Sequence, residues 1–412
     1  MLATRDGDQI VLPGLASAHS HAFQRALRGH CQRQSGSQES FWSWRGTMYA
    51  LAAKLDPESL YDLARFAYAE LAMAGVTAIG EFHYVHHQSG GQPYDNRTEL
   101  SEAMIRAAQD VGIRICLQRV LYQRAGVGQT LEAGQERFCD AKLDHALADI
   151  ETLQDRYVNS PGVTIGLALH SVRALTLDWI REASDFAKRK QLPLHMHLSE
   201  QQRELRECEQ EHGTTPVALM RDHGVLDERF VAVHATHLDE AEVAALGVAR
   251  SFVCVCRTTE RDLGDGHCDA RALYRAGARL CTGIDSHAIC DPFEEARAIE
   301  LDQRTADQGR TRVADATELL KAASSEGYAS LGMEAHAADD EVRLLCHDPA
   351  LVGATAAHLD DAVIYGASPR AVDSVSVGGV RIVENGQHRD YHAIREQYER
   401  TFVSLLKRAQ IQ

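Results

Sequence analysis

Apolar residues along this chain follow two rhythms. Short runs dense in Val, Ile, Leu, Ala and Cys recur eight times, at 15–21, 77–84, 113–122, 163–171, 192–200, 230–237, 251–258 and 278–287. Such runs, rich in β-branched residues, are the pattern of strands buried on both faces. Between them, Pro57–Ala74, Glu99–Val111, Ala141–Tyr157, Leu177–Lys190 and Glu240–Leu246 carry apolar residues three and four apart, as amphipathic helices do. Eight strands, most followed by a helix, predict an α/β fold of the (β/α)8 TIM-barrel kind over 12–335, with a doubly wound open sheet as the alternative. The polar residues tilt the choice. Within each run the apolar part comes first, and His, Glu or Asp gathers at the C-terminal end. A barrel brings such strand ends together at one face, where its active site is built.

Beyond about residue 330 the texture changes. Leu359–Tyr365 and Ser374–Glu384 suggest short strands, Asn385-Gly386 a tight turn, and Tyr391–Lys407 a helix. Residues 1–11 with 340–390 are therefore expected to form a small β appendage, Gly332–Asp340 a loop, and 391–412 a C-terminal helix. With 18 residues ahead of His19, the appendage is expected to be an incomplete β-sandwich.

Composition narrows the class without naming the chemistry. The 412 residues are 44% hydrophobic and 25% charged, an ordinary globular balance. Lys and Arg total 43 against 59 Asp and Glu, a formal charge of −16, which disfavours nucleic acid or an anionic membrane as the main partner. No apolar stretch is long enough to span a bilayer. The opening MLATRDGDQIVLPG carries Arg5 and two Asp where a signal peptide needs an apolar core, so a cytoplasmic location is expected. Ten Cys without a CxxC pair, several inside apolar runs, suit a reduced enzyme better than a disulfide scaffold.

The 21 His call for a positional argument. His19 and His21 are two apart at the end of the first run, so both imidazoles face the same side of a strand. His195 and His197 repeat the spacing in the fifth run, His234 ends the strand of the sixth, and Asp285 ends that of the eighth. Three His and one Asp can hold a divalent metal and still leave a position for water. A metal lowers the pKa of that water from 15.7 toward about 7. Glu200, three residues beyond His197, is a candidate to take its proton; the structural alternative is a helix-starting Glu. His237 and His287 are candidates to orient the ligands. Trp42 and Trp44 suggest a lid, while His83, His86 and His87 lie near the pocket without an assigned part.

The ordered segments LPGLASAHSHAFQRALRG (12–29), SFWSWRGTMY (40–49), EFHYVHH (81–87), HMHLSEQ (195–201), VHATHLD (233–239), TTERDLGDG (258–266) and DSH (285–287) resemble the amidohydrolase superfamily. Within its mononuclear-metal deaminase branch, they are similar to the formimidoylglutamate deiminases. The resemblance implies zinc held by His19, His21, His197 and Asp285, with Glu200 as proton shuttle and His234 polarising substrate or water. It also implies Asp285 as an orienting group in catalysis, and substrate contacts from Gln24, Arg45, Tyr84, His170 and Arg173. The implied reaction is hydrolysis of N-formimidoyl-L-glutamate to N-formyl-L-glutamate and ammonia in histidine degradation, by a homodimer. Two arginines suit a small dicarboxylate amidine, because each guanidinium offers a carboxylate a charged fork. A nucleobase or pterin-like substrate, or a catalytically dead metal-binding protein, are the competing readings. Arg257 and Arg261 depart from the pattern and are expected to alter packing or charge near the site.

Overall fold

The computed structural model describes residues 1–32, 41–132, 134–333, 336 and 338–411, with 41–43 described by backbone alone. The expected lid residue Trp42 therefore has its side chain outside the described residues. Two N-terminal strands, β1 (Thr4–Asp6) and β2 (Gln9–Pro13), precede the barrel. The barrel strands are β3 (Leu15–Ser20), β4 (Val76–His83), β5 (Arg114–Leu121), β6 (Val163–Leu169), β7 (Leu194–Leu198), β8 (Phe230–His234), β9 (Phe252–Val255) and β10 (Arg279–Thr282). They lie side by side in chain order, each parallel to the next, so all eight predicted strands are present.

The last strand meets the first just beyond its end. Asp285 bridges Ser20, its N–H donating to the His19 carbonyl at 3.0 Å while its own carbonyl accepts from His21 N–H at 3.0 Å. Gly283 makes this approach possible. A Cβ there would stand 2.9 Å from the His19 Cβ and 2.8 Å from the Cys256 sulfur, closer than packed atoms come.

Helices flank the sheet where the apolar spacing predicts them. Glu99–Val111 and Leu177–Lys190 match the expected ranges, and Pro57–Met73 begins on an Asp56/Ser59 capping box that satisfies its first amides. The chain ends build a separate antiparallel sheet. Its order is β1, β2, β11 (Glu341–Leu345), β12 (Val372–Val377), β13 (Val380–Glu384) and β14 (Gln387–His388). Asn385 and Gly386, with φ of 52° and 72°, form the β13–β14 turn. Arg114, at the start of β5, pairs with buried Asp340 through two 2.8 Å hydrogen bonds and fastens this sheet to the barrel floor.

One expected strand is a helix. Leu359–Gly366 is helical, burying Leu359, Asp360, Val363 and Ile364 against the helices Pro292–Asp307 and Ala316–Ala322. The run Ala362–Tyr365 has strand-like composition, but its buried positions recur at helical spacing, and packing against two helices overrides local preference. The terminal helix, Tyr391–Ala409, lies on Pro57–Met73, with Tyr398 stacked on Phe66 at 4.2 Å. Among the described residues, no helix is long and apolar enough to cross a membrane.

Candidate active site

Strand exits supply most of the site. His19 ends within β3 and His21 follows it; Tyr84 follows β4, Tyr122 follows β5, His170 and Arg173 follow β6, Glu200 follows β7, and Asp285 follows β10. His197 lies in β7, and His234 closes β8. Five non-glycine residues at these exits have left-handed backbones, Ser199 (φ 54°), His234 (71°), Ala235 (49°), Asp285 (55°) and His287 (58°). Such strain persists only where surrounding structure fixes it, and it gathers at functional sites.

Four of these side chains converge. His19 Nε2 lies 3.1 Å from His197 Nε2 and 3.4 Å from Asp285 Oδ1, which is also 3.4 Å from His21 Nε2. His21 Nδ1 donates to the Phe82 carbonyl at 3.0 Å and His197 Nδ1 to the His170 carbonyl at 3.1 Å. Those carbonyls accept only, so they fix the protons on Nδ1 and leave both Nε2 lone pairs aimed inward. Burial holds His19, His21 and His197 below the usual imidazole range, favouring the neutral form. Inward lone pairs beside a carboxylate are the donor set a divalent cation requires, so the cluster fits a metal.

His234 stands beside this cluster under opposite electrostatics. Its Nε2 is 3.8 Å from Asp285 and 4.0 Å from Glu200, and its Nδ1 is 3.3 Å from Glu260. Burial alone would push it down, but Glu200, the Glu260 hydrogen bond and Asp285 outweigh burial and raise it to about 10. Glu200 is itself pushed up by burial, with Asp285 adding to the effect and His234 opposing it. Glu204 holds the Glu200 turn: its carboxylate accepts from Ser199 N–H at 3.2 Å and Glu200 N–H at 3.3 Å.

A cavity opens above the cluster, and Gln24, Arg45, Tyr84, His170 and Arg173 all line it, beside Trp44, Glu200 and His234. Gln24 donates to the Tyr84 hydroxyl at 2.8 Å. Arg45 pairs with the half-exposed Glu132. Arg173 donates to the Ala125 carbonyl at 3.0 Å, and among the described residues no carboxylate lies within ion-pair distance of it.

Other expectations resolve differently. His195 shares the inward face of β7 with His197 but turns to Gln118 and the Ser330 carbonyl, away from the cluster. His287 reaches Ser20 Oγ at 2.7 Å, behind His21, while His237 meets Gln202 at the surface. His86 bonds the Val120 carbonyl, and His87 lies 3.6 Å from buried Asp140. Arg257 and Arg261 do not line the cavity: Arg257 pairs with Glu260 and Asp302, Arg261 with Glu294 and Asp302. Arg257 thus bears on the site through Glu260. Sequence reasoning missed Glu204, Glu260, Tyr49, Tyr122, Gln135 and Phe138. Two signals were available. Glu204 stands one helical turn from Glu200, and Tyr122 closes its strand run as His170 does.

The family model for the amidohydrolases matches residues 10–341. The chain belongs to the amidohydrolase family. This amidohydrolase is 36% identical to the formimidoylglutamate deiminase of Pseudomonas aeruginosa, over 96% of its own length and 88% of the relative. It is 29% identical to the 8-oxoguanine deaminase of the same organism, over 68% of this chain and 61% of that one. A solved amidohydrolase from Brucella melitensis superposes with a TM-score of 0.90 at 31% identity, covering 96% and 90% of the two chains. An adenosine deaminase from Xanthomonas campestris with bound zinc matches in fold, with a TM-score of 0.82 at 21% identity over 97% and 87%. The amidohydrolase is a hydrolase acting on C–N bonds.

Proposed function

We propose that this amidohydrolase is a zinc-dependent formimidoylglutamate deiminase. It would convert N-formimidoyl-L-glutamate and water to N-formyl-L-glutamate and ammonia, as a step of histidine degradation in the cytoplasm. The observation that carries this reading is the cavity wall facing the cluster. It offers Arg45 and Arg173 to a ligand, and Arg173 has no carboxylate of its own within reach among the described residues. A dicarboxylate supplies what such a wall lacks; a flat heterocycle does not. The relationship to the Pseudomonas deiminase supports the same substrate.

His19, His21, His197 and Asp285 would hold the zinc. Bound there, the ion supplies Lewis acidity and makes a water acidic enough to lose its proton near neutral pH. Glu200 takes that proton and passes it to the departing nitrogen, then relays the second water proton to the same nitrogen as the carbon–oxygen double bond forms, so that the nitrogen leaves as ammonia and the carbon keeps the oxygen. His234, held charged by Glu200, Glu260 and Asp285, donates to the oxygen at the reacting carbon. Arg45 and Arg173 bind the carboxylates, and Gln24, Tyr84 and His170 orient the formimidoyl end. A homodimer follows from the family resemblance and is checked by sedimentation.

The deciding experiment follows ammonia release from N-formimidoyl-L-glutamate beside a panel of guanine, 8-oxoguanine, cytosine and a pterin. Turnover of the linear amidine alone is expected. Turnover of a heterocycle with none of the amidine overturns the reading, and a zinc-loaded protein inert toward every compound identifies a dead homologue.

A further inference from the structure

Behind the arginine wall, Gln135 is fully buried and its amide has a fixed orientation. Its oxygen accepts the Glu132 N–H at 2.7 Å, so its nitrogen faces two phenols. It donates to the hydroxyl oxygens of Tyr49 at 3.0 Å and Tyr122 at 2.8 Å. Each phenol oxygen is thus used as an acceptor, and each phenol proton must point elsewhere. The two hydroxyls neighbour one another, so one proton can serve the other oxygen. The remaining proton has no acceptor among the described residues. Both tyrosines line the cavity, with Arg173 beside them and Arg45 over the Tyr49 ring at 5.3 Å. Phe138 closes the back, 5.7 Å from each tyrosine ring.

We propose that Tyr49 and Tyr122, their hydroxyl protons turned outward by Gln135, form with Arg173 and Arg45 a donor-only subsite for a carboxylate of the substrate. This rests on the proposed dicarboxylate substrate and adds the groups that select it. The two phenols touch the ligand, and Gln135 is a positioning residue acting through them. A donor-only pocket accepts an anionic oxygen and rejects an amide, an ammonium or a ring N–H, because each of those brings a donor that finds no acceptor. Glu132 ties the two halves of the wall together, its carboxylate meeting Arg45 and its N–H fixing Gln135.

The test separates the subsite from the reaction by using glutarate, a dicarboxylate with nothing to hydrolyse. Calorimetry on the metal-loaded enzyme is expected to show glutarate binding that weakens about tenfold or more in Tyr122→Phe, in Tyr49→Phe or in both, according to which proton is outward. Gln135→Glu, which offers acceptors and draws the phenol protons inward, should weaken glutarate by a similar factor. Gln135→Met, which offers none, should cost less than Gln135→Glu; a purely structural glutamine would make the two equal. In turnover, the same variants should raise KM with little change in kcat. No glutarate binding to the wild type overturns the subsite, as does binding unchanged in both tyrosine variants or equal losses in the two Gln135 variants. Failure of the wild type to hydrolyse formimidoylglutamate while the glutarate pattern holds overturns the proposed reaction and leaves the subsite standing.

Discussion

Between Glu200, Glu260 and Asp285, the His234 imidazole holds a proton that burial alone would expel. Glu200 faces the opposite pressure, since burial favours its neutral form. A base that gains a proton easily beside an acid that keeps one is the division of labour that hydrolytic loss of ammonia needs. Glu200→Gln keeps the shape and removes the proton acceptor. It is expected to lower kcat by roughly 10²–10⁴-fold while leaving bound metal unchanged, measured by ammonia release beside elemental analysis. Arg173→Ala should instead act on binding. Its expected signature is a KM raised by about tenfold to a hundredfold for the dicarboxylate, the loss of one charge-assisted contact, again with metal content retained. Glu200, His234 and Asp285 were legible because they stand at the ends of apolar runs, whereas Arg173, beyond the run 163–171, was reached through the family resemblance. Glu260 was not: it lies among Thr, Glu, Arg and Asp in a short helix, and only the fold brings it to 3.3 Å from His234.

At the scale of elements, the helix Pro292–Asp307 supports the segment that carries Glu260. Its Glu295 is buried and accepts from the hydroxyl and N–H of Thr258, at the start of the helix Arg257–Leu263. Burial raises the Glu295 carboxyl to about 8, although the Thr258 hydrogen bonds oppose the shift. The folded chain therefore holds this proton more tightly than the unfolded chain. Its contribution to stability is greatest below the unfolded value of about 4.3 and is lost as pH rises through about 8, amounting to no more than about 5 kcal/mol. Glu295→Gln should flatten that decline, seen as a smaller difference between urea midpoints at pH 5 and pH 8.5 than in the wild type. The barrel strands were readable because burial on both faces demands continuous apolar runs. Leu359–Gly366 was not, since four consecutive apolar residues suit either a strand or a buried helical turn until the neighbouring helices are known. The tyrosine wall also escaped the sequence: Tyr49, Tyr122 and Gln135 come from a helix, a strand exit and a short turn, with no shared spacing.

Across the whole molecule, three of the four converging side chains, His19, His21 and Asp285, lie on the seam where the first and last barrel strands meet, and His197 reaches it from β7. A cation held by His19, His21 and Asp285 would add its binding energy to the backbone bridge between the same residues. Binding to the folded state alone stabilises by about 4 kcal/mol at a free metal concentration a thousandfold above Kd. Stripping the metal with a chelator should therefore lower Tm by several degrees. Hydrogen exchange should quicken first at the amides of His21 and Asp285, and restoring zinc should reverse both changes.

That seam also imposes an order on biosynthesis. His19 emerges early from the ribosome and His197 much later, yet Asp285 and the β10 backbone that completes the bridge come later still. A nascent chain that has delivered the first seven barrel strands has three histidines waiting and one wall of its ring open. Ion capture at full strength is thus reserved for a polypeptide already long enough to shut the ring, and a growing chain has little means of trapping a metal in an unfinished barrel.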